Sequence, residues 1–178
     1  MFILMTYLCS KISNMTRCFI LLGSNQGDRL MLINEALIAI EKRCGNIVAL
    51  SSIYESEPWG FDATTWFLNQ VAIIDTNLIP EEVLSSLHDI ERTLGRVRHD
   101  DVYGYESRPI DLDLLYYGDI CVDSASISIP HPRLHLRRFT LMPLCEVAAD
   151  YKHPILNLSH SELLSQCQDF SEVRVYDV

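Results

Sequence analysis

Positive charge is what this chain has little of: 14 lysines and arginines stand against 24 aspartates and glutamates in 178 residues, a formal net charge of −10. That balance excludes partners such as duplex DNA, whose binding draws on many phosphate contacts. Paired metal-binding cysteines are missing as well. Cys9, Cys18, Cys44, Cys121, Cys145 and Cys167 form no C-x-x-C and have no histidine at ligand spacing. Structural zinc is thereby excluded, and the six read as small apolar residues of a reducing cytosol. The apolar residues 1–10 are too few to span a bilayer and follow no cationic stretch, so neither an anchor nor a secretory signal is expected. Neither G-x-x-x-x-G-K-[ST] nor G-x-G-x-x-G occurs, which removes the common phosphate-cradling loops. No serine or cysteine stands beside an evident base, so covalent nucleophilic catalysis has no candidate.

What the chain does have is enough apolar content, 48%, to bury a core. The expectation is one domain over residues 15–178, preceded at 1–14 by a leader that is either disordered or read from a start upstream of Met15. The scarce cations are also unevenly placed. Seven of the eleven arginines fall between Arg92 and Arg138, together with His99, His131 and His135, a cationic zone within an acidic protein.

Inside that zone lies Arg108-Pro109-Ile110-Asp111-Leu112-Asp113-Leu114-Leu115. Ile110, Leu112 and Leu114 alternate with Asp111 and Asp113, so as a strand the run sends its aliphatics to one face and both carboxylates to the other. Roughly 6–7 Å apart, two such anions repel by about 2–3 kcal/mol at an effective dielectric near 20. A hard dication with phosphate oxygens in its shell would relieve that repulsion, and Mg²⁺ takes such ligands. A half-buried strand with a solvated polar face is the bland alternative.

Around this run the remaining elements order themselves. The apolar run 18–22 reads as a buried strand ending in the turn Gly23-Ser24-Asn25-Gln26-Gly27-Asp28, by itself a weak phosphate signal. A helix follows, capped by Asp28, striped by Leu30, Ile33, Leu37 and Ile40 and closed by Gly45. Residues 47–54 read as a second strand, Glu57-Pro58-Trp59-Gly60-Phe61-Asp62 as an aromatic loop, and 67–75 as a third strand containing Asn69. Pro80-Glu81-Glu82 opens a helix with Val83, Leu84, Leu87, Ile90 and Leu94 on its buried side. The aperiodic, basic stretch 96–107 has the character of a lid. A short strand at 120–122 and a weak helix near 162–166 complete the expectation. His135, His153 and His160 read as surface residues, and Trp59 and Trp66 are open to a packing role. The order strand, helix, strand, strand, helix, strand is that of the α+β ferredoxin-like plait, an antiparallel sheet with helices packed on one face, plus C-terminal additions.

Ser107 to Leu115, with Ile20-Leu21-Leu22-Gly23-Ser24-Asn25, Pro58-Trp59-Gly60, Phe67-Leu68-Asn69, Gly95-Arg96-Val97-Arg98 and Pro130-His131-Pro132 in that order around it, resembles the 6-hydroxymethyl-7,8-dihydropterin pyrophosphokinase family. That resemblance implies an enzyme of folate biosynthesis that moves pyrophosphate from ATP to a pterin alcohol, a cytoplasmic monomer binding neither nucleic acid nor membrane. It implies two Mg²⁺ ions on Asp111 and Asp113, and Arg96 and Arg108 stabilising the transferring group. ATP would lie against His88, Glu91, Arg98, Ser128, His131 and Arg137. The pterin would lie between Phe67 and Phe139, its edge read by Asn69 and by the segment carrying Ser56, Trp59 and Gly60. Tyr103, where many members have tryptophan, His99, where lysine is frequent, and Arg138, where glycine is common, depart from the family pattern.

Two other readings fit the same residues. One is a different Mg²⁺-dependent nucleotide-using transferase with a D-x-D site, which would release another product. The other is a non-catalytic ferredoxin-like binding module, which the acidic charge and the lack of an aromatic RNA-binding strand motif oppose.

Overall fold

The computed structural model describes residues 15–60, 64–96 and 108–177. The expected leader over 1–14 and the lid beyond Arg96, with Arg98, lie outside the described residues. Strand β1 (Thr16–Ser24) is apolar on both sides because the sheet is covered on both: Cys18, Ile20 and Leu22 enter one core, Phe19 and Leu21 the other. Helix α1 (Arg29–Arg43) starts where the Asp28 carboxylate accepts the Met31 N–H at 3.0 Å and buries Ile33, Ala36 and Ile40.

Strands β2 (Asn46–Leu50) and β3 (Tyr54–Ser56) replace the single strand expected over 47–54. Both pair with β4 (Phe67–Thr76), one after the other along the same edge. The break between them is filled by side chains: Gln70 donates to the Ser51 carbonyl at 2.7 Å, and the Ser51 hydroxyl accepts the Val71 N–H at 3.0 Å. Helix α2 (Pro80–Thr93) carries the expected stripe, with Val83, Leu87 and Ile90 buried. Strand β5 (Asp111–Tyr117) pairs antiparallel with β1. The sheet order is β5-β1-β4-β3-β8, with β2 also on β4, which is the plait arrangement extended by the C-terminal strand β8 (Val173–Val175). Two-residue strands β6 (Val122–Asp123) and β7 (Ser128–Ile129) form a separate ribbon, with β6 starting two residues later than the strand expected at 120–122.

Helices α1 and α2 cover one sheet face, as expected. The other face is covered by helices α3 (Arg138–Ala148) and α4 (His160–Gln166), so the expectation of helices on one face holds only for the plait itself. No helix was read over 133–144, since Pro143 interrupts the pattern that α3 nonetheless adopts. The histidines need a correction too. His153 and His160 are buried, and His160 places its ring nitrogens 2.7 Å from the Ala148 carbonyl and 3.2 Å from the Tyr116 hydroxyl. Among the described residues no cysteine is in a disulfide, and no helix is long and apolar enough to cross a membrane.

Candidate active site

The period of two at the start of β5 acts as the sequence implies. Leu112 and Leu114 are buried in the core under α1 and α2, and Asp111 and Asp113 emerge on the opposite face, beside Gly23 and Leu21 of β1. Three arginines converge on them. Arg96 approaches Asp111 Oδ1 at 2.6 Å, Arg108 approaches Asp111 Oδ2 at 2.9 Å, and Arg137 lies 3.7 Å from Asp113 Oδ2.

Each arginine is itself held. Gly95, at φ 93°, lets the chain turn back after α2 so that the Arg96 N–H bonds the Glu91 carbonyl at 3.0 Å. The Arg96 guanidinium also pairs with the Glu91 carboxylate, which in turn accepts the Leu112 N–H at 2.8 Å and so ties α2 to β5. The turn after β1 fixes Arg108: Asn25 Oδ1 accepts the Arg108 N–H at 2.8 Å, and the Ser24 hydroxyl donates to the Pro109 carbonyl at 2.6 Å. Ser24 and Asn25 were missed as site-building residues. Their signal was the Gly-Ser-Asn turn itself, whose work is to hold backbone where a phosphate cradle was the obvious question.

The two carboxylates differ in electrostatic setting. Burial works to raise the Asp111 carboxyl, but the charges of Arg96 and Arg108 win and hold it below the usual range. Burial, then the neighbouring Asp111 charge, pushes the Asp113 carboxyl up to about 7, despite Arg137. His131 lies 4.0 Å from Asp113, yet burial and then the charges of Arg137 and Arg133 bring its imidazole down to about 4. It is neutral at pH 7 and adds no positive charge beside Asp113.

Asp111, Asp113 and Arg108 form the common floor of two clefts. The first is walled by Phe67, Phe139, Trp59, Asn69, Ser56 and Glu57. Asn69 Nδ2 donates to the Ser56 hydroxyl at 2.9 Å, which orients the amide, and the Arg137 guanidinium lies 5.0 Å from the Trp59 ring centre and 5.5 Å from that of Phe139. Gly60 belongs to the loop that follows Trp59 but does not line the cleft. The second cleft is polar, walled by His88, Glu91, Arg96, Ser128, His131 and Pro132, and also by Ser126, which the sequence did not single out.

Gly23 matters to the first cleft by what it lacks. A Cβ there would stand 3.3 Å from Asn69 Oδ1. Gly23→Ala is therefore expected to displace the Asn69 amide and weaken binding of a flat heterocycle by about tenfold, read by calorimetric titration, with the melting temperature little changed.

Among the described residues no group of three or more histidines, cysteines or acids could hold a metal ion, so an all-protein cage is absent. Two adjacent carboxylates, one of them poorly compensated, are what a magnesium ion uses when phosphate and water complete its shell. The donor set fits that ion, which Asp111 and Asp113 would hold.

A family profile described as 7,8-dihydro-6-hydroxymethylpterin-pyrophosphokinase matches residues 19–149. The chain belongs to this pyrophosphokinase family. It is 40% identical over 137 residues to the 2-amino-4-hydroxy-6-hydroxymethyldihydropteridine pyrophosphokinase of Porphyromonas gingivalis, covering 76% of this chain and 92% of that protein. It is 36% identical over 141 residues to the protein of the same name from Aquifex aeolicus, covering 79% and 86%. In fold it is similar to a solved HPPK-DHPS structure of Plasmodium falciparum, with a TM-score of 0.71 at 17% identity, covering 90% of this chain and 46% of that one. The pyrophosphokinase match ends at residue 149, so α4 and β8 lie beyond it.

Proposed function

We propose that this chain transfers the pyrophosphoryl group of ATP to the hydroxymethyl oxygen of 6-hydroxymethyl-7,8-dihydropterin, releasing AMP in folate biosynthesis, with two Mg²⁺ ions held by Asp111 and Asp113. The observation that carries this reading is the shared floor: an aromatic cleft and a polar, basic cleft open onto the same pair of carboxylates. A planar alcohol in one and a triphosphate in the other would bring their reacting atoms together there. The names of the relatives support the same substrates.

The pterin alcohol oxygen attacks the β-phosphorus, the bond from that phosphorus to the oxygen bridging it to the α-phosphorus breaks, and AMP departs with the bond's electron pair. The alcohol proton is lost to solvent. Bound magnesium would neutralise phosphate charge and align the two reactants. Arg96 and Arg108 supply guanidinium groups to the transferring oxygens once phosphate competes with Asp111 for them. His131, Ser128 and His88 line the triphosphate path, with Glu91 holding Arg96 in position, whereas Arg137, expected against ATP, lines the aromatic cleft and lies beside Asp113. Phe67 and Phe139 flank the ring, Asn69 and Ser56 offer its edge hydrogen bonds, and Trp59 closes the cleft with Arg137 against it.

The test is pterin-dependent AMP release from ATP, followed chromatographically. Release of AMP together with a pterin diphosphate is expected. Free pyrophosphate, or turnover without pterin, overturns the reading in favour of a different transferase.

Ion uptake should depend on pH in a defined direction. Below about 7 the Asp113 carboxyl is protonated, and an incoming cation must displace that proton. Mg²⁺ binding to the free protein is therefore expected to be about tenfold weaker at pH 6 than at pH 8, for a single linked proton, as read by Mg²⁺-dependent thermal shift.

A further inference from the structure

The C-terminal segment beyond the family match touches both walls of the aromatic cleft. On one wall, Asp169 Oδ2 accepts the Arg138 N–H at 2.9 Å. Helix α3 has no side-chain cap of its own at Arg137, so Asp169 supplies from a distance the acceptor that the helix start needs. That helix start carries Arg137 and Phe139. Asp169 is fixed in turn by Ser171, whose N–H reaches its Oδ1 at 3.0 Å.

On the opposite wall, β8 pairs with β3, placing Val173 across from Ser56 and Arg174 across from Glu55. The Glu172 N–H donates to the Glu57 carboxylate at 2.9 Å and its carbonyl accepts the Glu57 N–H at 3.1 Å, at the root of the loop bearing Trp59. Arg174 binds Glu55 Oε2 at 2.8 Å and lies 4.9 Å from the centre of the Trp66 ring, next to Phe67 in sequence. Four residues separate Asp169 from Arg174, so the wall carrying Phe139 and the wall carrying Ser56 and Phe67 are joined by one short piece of chain.

We infer that residues 169–175 form a strap that sets the width of the aromatic cleft, with Asp169 and Arg174 as positioning residues for the planar substrate. The inference rests on the reading of that cleft as the pterin site. Neither residue lines the polar cleft, and Arg137 and Phe139, on the helix start that Asp169 holds, line the aromatic cleft and not the polar one, so the strap acts on the planar substrate.

The experiment uses the full chain and compares Asp169→Ala, Asp169→Asn and Arg174→Ala. Asp169→Ala and Arg174→Ala are each expected to raise KM for the pterin roughly tenfold, with kcat and KM for ATP changed by less than about twofold, since only binding common to ground and transition states is lost. Asp169→Asn should restore most of the loss, because its amide oxygen still accepts the Arg138 N–H. An unchanged pterin KM, an equal rise in both KM values, or an Asn variant no better than Ala overturns the strap. Arg174 has a side chain 58% exposed, so Arg174→Ala keeps the test in force if Asp169→Ala does not fold. Wild-type protein that fails to release AMP with pterin overturns the functional reading instead. Direct titration of the pterin into the same variants then reads the strap without turnover.

Discussion

Asp113→Ala is expected to lower pyrophosphoryl transfer by about 1,000-fold while leaving the protein as stable as wild type or more so, because the role proposed for Asp113 is to hold magnesium and not to support the fold. The stability half of the expectation follows from the state of that carboxyl. Burial and the Asp111 charge both oppose its ionisation, so at pH 8 the ion-free fold carries an anion that its surroundings disfavour. Removing it relieves that repulsion. Asp111→Ala should behave differently, losing activity to a similar degree and stability as well, since Arg96 and Arg108 both lose a partner within 2.9 Å. Steady-state AMP release and thermal denaturation at pH 8 separate the two variants. Asp113→Ala that keeps a tenth of the wild-type rate, or that melts as early as Asp111→Ala, removes the metal-holding role.

The same contrast explains how much of the site could be read from the chain alone. Asp111 and Asp113 were legible because a strand's period of two is local, and it needs no knowledge of what lies across the sheet. The helices α1 and α2 were legible for the same reason, through Asp28, Pro80 and an unbroken apolar stripe on each. Helix α3 was not, because Pro143 and the paired Arg137 and Arg138 break the stripe, and its stability comes from the sheet face beneath it. His153 and His160 read as surface residues by type, yet Tyr116 of a distant strand and the nearer Tyr151 bury His160, with ring centres 5.5 and 5.4 Å away. The break between β2 and β3 depends on Gln70 and Ser51 meeting across the sheet. Asp169 and Arg138 stand 31 residues apart, a separation at which no pattern in the chain announces a contact. Local rules therefore captured the strand carrying Asp111 and Asp113, whereas the walls of the aromatic cleft depended on contacts between distant segments.

Arg96 joins the fold to the chemistry, and its removal should expose both roles separately. Its guanidinium lies between Glu91, which is 1% exposed, and Asp111, at the end of a helix whose tie to β5 runs through the same Glu91 carboxylate. Arg96→Ala removes the cation these two acids share, and breaking such a buried pair costs about 3–5 kcal/mol. For a domain of this size, even 3 kcal/mol corresponds to a fall of roughly 6–12 °C in Tm. Adding Glu91→Gln should recover most of that loss, because a glutamine oxygen can still accept the Leu112 N–H without leaving a buried charge. Activity should not return with it. The guanidinium also faces the polar cleft, where its loss is expected to slow transfer by about 100-fold in either background. A double variant that regains rate along with Tm would make Arg96 a purely structural residue, and an Arg96→Ala protein with an unchanged Tm would mean that Glu91 does not depend on it.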